Sequence, residues 1–466
     1  MQETEDHLTT HLERHSWQAR QEPPGTALHF LGLQRWNSLT PAQGRSVGGG
    51  YFIYRTNDKG EVDLGIAVDP GFDYVRNLFR MGFSLRDVDI VVISHAHADH
   101  LWDFESMVQL LNELEGKKHI VHQLNVILTL GSYQRLKHII NNPKLRRFIN
   151  PLVIDIRKEI EPGFFRNLGP DHKNEEEFFN YCFAFAHTEN KKKQWQWDLI
   201  LPDLKANTDV KVLEIWPTRA YHDDHSDISD SFGFIIKFRP KIKSGGTEKE
   251  FCFGYTGDTK WVGDDLYHKD SCPRATIDDG CKNKYDHQAH WKDISGQYSD
   301  CDVLLMHLGS LIDHKDVKKQ KFKNYRNSRD CEDLIRDKNH PYLMGMIRFL
   351  GELYNNASKE KLILMGEFGE ELRGGIRTDL VKRFQQGIEP WRMLPIDVGL
   401  DVLLHDYKGI ENNTQNKKYK FLCALCDKHR PLEEIDYLRF GPDEAIFYTC
   451  KTCIKATPDD VRQIRL

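Results

Sequence analysis

Three histidines and an aspartate close the segment Asp89-Ile-Val-Val-Ile-Ser-His95-Ala-His97-Ala-Asp99-His100. In an extended chain residues i and i+2 point to one side, so His95 and His97 can face a common point. A helix starting near Asp99 turns Asp99 and His100 back toward that point from its first turn. Imidazole nitrogens and carboxylate oxygens are donors for zinc and for neighbouring divalent ions. The four residues directly follow a buried-strand pattern, which a solvent-exposed histidine-rich turn does not require. The segment therefore reads as a metal site.

The flanking sequence supplies the elements that must hold it. Short β-type runs precede it at Leu28-His-Phe-Leu, Gly50-Tyr-Phe-Ile-Tyr54 and Leu64-Gly-Ile-Ala-Val68, and Ser46-Val-Gly-Gly-Gly50 marks a close turn between two of them. Val75, Leu78, Phe79 and Phe83 follow helical spacing into the apolar run. After the motif, Phe104, Met107, Val108, Leu111 and Leu114 form a helix stripe closed by Gly116, which predicts a core face.

The chain has 466 residues, enough for two or three domains, with 39% hydrophobic and 29% charged residues. A net charge of −5 excludes a uniformly basic nucleic-acid binder but permits a local basic patch. No run approaches the roughly 20 apolar residues of a membrane helix, and the acidic start shows no signal peptide. Among ten cysteines, Cys423, Cys426, Cys450 and Cys453 form two Cys-x-x-Cys pairs, while the others are scattered. Two such pairs suit one tetrahedral zinc that holds together a module too short to bury its own core. His429, between the pairs, is a further candidate ligand. This use of cysteine points to a reducing cytoplasm.

The stretch from Ile66-Ala-Val-Asp69-Pro-Gly71 through the His95 to His100 motif resembles the opening of metallo-β-lactamase-fold hydrolases. Further landmarks follow in that superfamily's order: His225-Ser, Asp230-Ser-Phe-Gly-Phe234, Tyr255-Thr-Gly257-Asp258-Thr259 and Cys301-Asp-Val-Leu-Leu-Met-His307. The resemblance is greatest to the RNase Z-like phosphodiesterase branch. It implies an α/β fold, an αββα metallo-β-lactamase sandwich, over residues 29–408. An N-terminal extension (1–28), a helical insertion at about 131–210 and a zinc-ribbon module (409–466) complete the expected domains.

The same resemblance implies two divalent ions, zinc or manganese, held by His95, His97, Asp99, His100, His225, Asp258 and Glu367. His222 is the alternative to His225, and His405 the alternative to Glu367, which stands where the branch carries a histidine. A carboxylate there favours harder ions such as manganese or iron. Asp258 would bridge the ions, and Asp99 would bind one while orienting a hydroxide that the ions make available near neutrality. His340 matches a histidine that protonates the leaving oxygen. Its usual glutamate partner is replaced by Leu308, which leaves His307 a role behind the ligands.

Between Lys315 and Arg329 seven bases accompany one acid. Lys318, Lys319, Lys321, Lys323 and Arg326 interleave with Phe322 and Tyr325, a pattern suited to phosphate tracking and base stacking as well as to a solvated loop. A second basic run, Lys191-Lys-Lys-Gln-Trp-Gln-Trp197, lies in the insertion. The expected function is a metal-dependent phosphodiesterase or nuclease acting on RNA or DNA. Hydrolysis of a small cyclic nucleotide or other small ester, and a metal-bearing scaffold or sensor, stand as alternatives. A nucleic-acid partner is expected and a membrane is not. A protein partner at the ribbon, a homo-oligomer and an antiviral defence role stay open.

Overall fold

In a computed structural model the structure describes residues 27–35, 48–57, 59–117, 123–155, 183–184, 210–223, 230–240, 250–259, 295–308, 343–357, 359–368, 376–406, 419–440 and 445–456. The chain divides into two compact units. The first comprises Met1–Ala186, Leu201–Asp209 and Ile396–Leu466, and the second His187–Ile200 and Val210–Pro395.

The first unit is built on a ten-stranded sheet with the order β16-β15-β14-β1-β2-β3-β4-β5-β6-β7. Numbered in chain order, these strands are β1 (Ala27–Gly32), β2 (Tyr51–Thr56), β3 (Val62–Val68), β4 (Ile90–Ile93), β5 (Leu124–Thr129), β6 (Ile149–Asp155), β7 (Phe183–Ala184), β14 (Asp401–Asp406), β15 (Lys420–Leu422) and β16 (His429–Pro431). Pairing is parallel from β3 to β7. It is antiparallel from β3 through β2, β1, β14 and β15 to β16. A parallel strand must return through a crossover. The crossovers use helices α1 (Tyr74–Arg80), α2 (Ala98–Leu101), α3 (Phe104–Gly116) and α4 (Leu130–Ile140).

Ile90, Val91, Val92 and Ile93 are all fully buried, as expected of a central parallel strand covered on both faces. The stripe Phe104, Met107, Val108, Leu111 and Leu114 is the buried face of α3 and packs into one apolar cluster with Leu78, Phe83 and Val91. At the close turn Gly49 has φ +132°, and a Cβ on Gly50 would strike the carbonyl oxygens of Val68 and Asp69. Only glycine fits that approach.

Of the expected helical insertion, the described part is α4, β6 and β7, and β6 lies in continuous register with β5 from Leu124↔Ile149 to Thr129↔Ile154. Its opening therefore belongs to the sheet. The C-terminal segment likewise adds β15 to the sheet edge through Val402↔Phe421, before the separate hairpin β17 (Ile435–Phe440) and β18 (Ala445–Cys450) and helix α7 (Lys451–Ala456).

The second unit carries a six-stranded sheet with the order β13-β12-β11-β10-β9-β8. These strands are β8 (Val210–Asp223), β9 (Asp230–Pro240), β10 (Phe251–Tyr255), β11 (Val303–His307), β12 (Leu362–Gly366) and β13 (Arg392–Pro395). Strands β10 to β13 run parallel, and α5 (Leu343–Asn356) and α6 (Ile376–Gly387) lie in their connections. No described helix is long and apolar enough to cross a membrane.

Candidate metal centre

In both sheets the candidate ligands cluster where parallel strands end, the edge at which open α/β sheets bind their ligands. In the first unit Asp69 follows β3, and the His95 to His100 segment follows β4 and enters α2. His95 and His97 lie with ring centroids 4.4 Å apart, and His95 and His100 at 4.1 Å. His100 Nε2 stands 3.4 Å from Asp99 Oδ2. Two donors of one tetrahedral ion with bonds near 2.05 Å lie about 3.3 Å apart, so this spacing suits neighbouring ligands.

Asp69 organises these residues. Its Oδ1 accepts from the Ser94 backbone N–H at 2.7 Å, and its Oδ2 accepts from Ser94 Oγ at 2.8 Å. His100 Nδ1 lies 2.9 Å from the same Oδ2. Donation from Nδ1 presents the other nitrogen of His100 for a metal, the usual role of a carboxylate behind a histidine ligand. Ser94 Oγ in turn lies 3.0 Å from His95 Nδ1. Asp69 reaches this position with φ 50°, a left-handed backbone that non-glycine residues rarely adopt. The sequence marks Asp69 only as part of a motif, and its hold on His100 spans the whole β3-to-β4 crossover.

Gly71 completes the loop. A Cβ there would run into the carbonyl oxygen of Asp99. We expect Gly71→Ala to push α2 away and cost about 3 kcal/mol, with loss of bound metal. Denaturant unfolding combined with metal analysis checks both, and an unchanged midpoint would remove this account of the loop.

In the second unit Asp258, His307 and Glu367 are fully buried and offer ligand atoms within 4.8 Å of one another. Asp258 and Glu367 follow β10 and β12, and His307 ends β11. His307 Nδ1 lies 2.6 Å from Asp258 Oδ1 and 3.0 Å from Glu367 Oε2. The imidazole thus lies between the two carboxylates. On the other side, Asp258 Oδ2 stands 3.9 Å from His222 Nε2. The Asp258 backbone is held separately, through its carbonyl oxygen, by Ser231 Oγ at 2.8 Å. Glu367, like Asp69, takes a positive φ of 50°.

Burial alone would lower the His307 pKa, but the Glu367 carboxylate, with Asp258, overrides it and raises the pKa to about 9. A group whose folded pKa exceeds its unfolded one stabilises the fold below the unfolded value and loses that contribution as pH rises through the folded one. Chelator-treated protein should therefore lose stability between pH 6.5 and about 9, and His307→Gln should flatten that slope. Thermal melts of both proteins across the window test this. A difference between them that does not change with pH would refute it.

The four cysteines converge. Cys423, Cys426, Cys450 and Cys453 offer sulfur atoms within 4.8 Å of one another, with Cys423 and Cys450 buried. The Cys450 backbone N–H donates to Cys423 Sγ at 3.2 Å, and Ala424 N–H to Tyr448 O at 2.9 Å. Four thiolates on two tight turns fit a closed structural zinc site. His429 lies outside this group and sits with His29 and Asp401 instead.

Residues 63–161 match the metallo-beta-lactamase superfamily. The match falls on the segment from β3 to just past β6. The sheets and helices of the two units agree with the α/β class expected of that fold. No curated protein matches the sequence. Among solved structures the chain is similar to the metallo-beta-lactamase fold protein YhfI from Bacillus subtilis, at 10% identity over 80% of this chain and 98% of that one, with a TM-score of 0.40. It is also similar to the long form of RNase Z from yeast, at 14% identity over 74% and 38%, with a TM-score of 0.41. Human tRNase Z, short form, is similar at 11% identity over 81% and 98%, with a TM-score of 0.40.

Several expected site residues lie outside the described residues: His225, His340, and Lys318, Lys319, Lys321, Phe322, Lys323, Tyr325 and Arg326 of the basic segment. His405 is half-buried on β14 opposite Leu28 and joins none of the metal-competent groups among the described residues.

Proposed function

We propose that this protein is a metal-dependent hydrolase that cleaves phosphodiester bonds in RNA or DNA. The carrying observation is the Asp69-anchored set of His95, His97, Asp99 and His100 at the end of β4. It is supported by the order of the later landmarks and by the buried carboxylates Asp258 and Glu367. The resemblance implies two divalent ions, for which His95, His97, Asp99, His100, Asp258, Glu367 and one of His222 or His225 would be the donors, and these donor types suit such ions. Ions bound there supply Lewis acidity and make hydroxide available near neutral pH. Asp99 orients the attacking water, Asp69 keeps His100 in its ligating tautomer, and His307 balances the charge of Asp258 and Glu367. His340 delivers the proton to the leaving oxygen. The basic and aromatic segment from Lys315 to Arg329 supports a nucleic-acid substrate, because cations track phosphates and rings stack on bases.

Incubating the protein with labelled RNA, DNA and cyclic nucleotides under zinc and under manganese tests the reading. Cleavage of either polymer is the expected result. Cleavage of cyclic nucleotides alone would assign a small phosphodiester substrate, and no cleavage would favour a metal-bearing scaffold. The ligand assignment has its own test. Glu367→Ala should lower the metal content by one ion while the cysteine site stays filled, and His405→Ala should change nothing. The reverse pattern would move the ligand role to His405. Glu367→His should restore occupancy and shift preference from manganese toward zinc, since imidazole is the softer donor.

A further inference from the structure

Strand register in the first unit aligns a further set of metal-competent side chains, drawn from the two ends of the chain. Directly opposite residues of an antiparallel pair share a face, as do residues i and i+2 of one strand. His29 pairs with Tyr54 on one side and Leu403 on the other, placing both and Asp401 on its face. The face continues through Leu403↔Lys420 to Leu422, and Leu422↔His429 brings His429 onto it. A register irregularity between Leu28 and His29 lies beside the group, the kind of bulge that re-aims a side chain.

His29, Asp401 and His429 offer ligand atoms within 4.8 Å of one another. His29 and Asp401 are buried and His429 half-buried. We propose that these three residues bind a divalent cation of the zinc class, separate from the hydrolase centre and from the four cysteines.

Three arguments carry it. His29 Nδ1 stands 3.5 Å from Asp401 Oδ1. That is long for a charge-assisted hydrogen bond, about 2.8 Å, and close to the separation of about 3.3 Å between two ligands of one tetrahedral zinc. The surroundings also fix the donors in place. Tyr54 donates its hydroxyl to Asp401 Oδ2 at 2.8 Å, and His29 lies flat on the Tyr54 ring at 4.7 Å and 4°. Such hydrogen-bonded and packed support is what orients metal ligands. Finally, the rings of His29 and His429 are 5.6 Å apart and inclined at 51°, so they are not stacked. Two imidazoles and one carboxylate leave a fourth position for water. An ion here ties together β1, β14 and β16, strands drawn from the two ends of the chain, and so fastens the edge hairpin to the sheet.

Metal analysis of the full-length protein with zinc as the only added metal tests the site, because the half-buried His429 can be changed with little disturbance. His429→Ala should lose one equivalent of zinc, and His429→Cys should regain it because thiolate is also a zinc ligand. Cobalt substitution reports separately on the cysteines, whose thiolate charge-transfer band should persist at full strength in His429→Ala. Added zinc should raise the melting temperature of zinc-stripped parent more than that of zinc-stripped His429→Ala. An unchanged zinc count in folded His429→Ala would overturn the proposal. So would loss of the thiolate band along with the zinc, which would return His429 to the cysteine site. Neither result bears on whether the protein hydrolyses phosphodiesters.

Discussion

Asp258→Ala is expected to reduce hydrolysis by about a thousandfold or more, because losing a proposed metal ligand would take away the charge stabilisation that bound ions supply. Its Oδ1 faces His307 and its Oδ2 faces His222, so alanine removes an acceptor from both sides at once. The fold should survive, because the backbone here is held through the Asp258 carbonyl oxygen by Ser231, which the substitution leaves in place. His97→Ala should do the same from the first unit. His97 occupies the N-cap position of α2 without a side-chain cap hydrogen bond, so truncation takes a proposed ligand and no helix support. Activity, circular dichroism and metal content of the purified variants decide the matter. Retained turnover in either folded variant would rule out the proposed site.

Cys423→Ser is expected to have the largest structural effect. Cys423 is fully buried, and its sulfur accepts from the Cys450 backbone, so the residue joins the turn after β15 to the end of β18. The hairpin of β17 and β18 is a two-stranded sheet of its own, and such a unit is marginal without further support. Structural zinc supplies folding free energy of about 10 kcal/mol or more in comparable small modules, so its loss should release the segment after Tyr419. New protease cleavage between β16 and α7, with one zinc fewer, is the expected observation. A digestion pattern identical to the parent's would count against a structural metal there.

Several features are legible in the amino-acid sequence because their causes are local. The apolar run ending in His95, the helix stripe from Phe104 to Leu114 and the two cysteine pairs each occupy a short stretch whose periodicity or spacing states its own geometry. Glu367 stands out because it ends another short apolar run, Leu362 to Gly366. The partnerships of Asp69 with His100, and of His307 with both Asp258 and Glu367, cannot be read in this way. Each joins the ends of strands that are neighbours only once the parallel sheet has formed. The insertion shows the same limit, since nothing local says that Ile149 to Asp155 will lie beside β5.

His29, Asp401 and His429 are the extreme case. No spacing connects a histidine near the start of the chain with two residues near its end; His29 and Asp401 alone read as ordinary strand residues, and His429 stands out only beside the cysteine pairs. What unites them is register: a shift of one residue in β1 or β14 would turn His29 or Asp401 to the opposite face and disperse the group. The donor types, the strand-to-helix metal motif and the cysteine pairs follow from the order of residues alone, because they depend on neighbours within a short stretch. Which carboxylate steadies which imidazole, and which distant strands share a face, depends on the folded chain, because sheet pairing and burial are properties of the whole packed molecule.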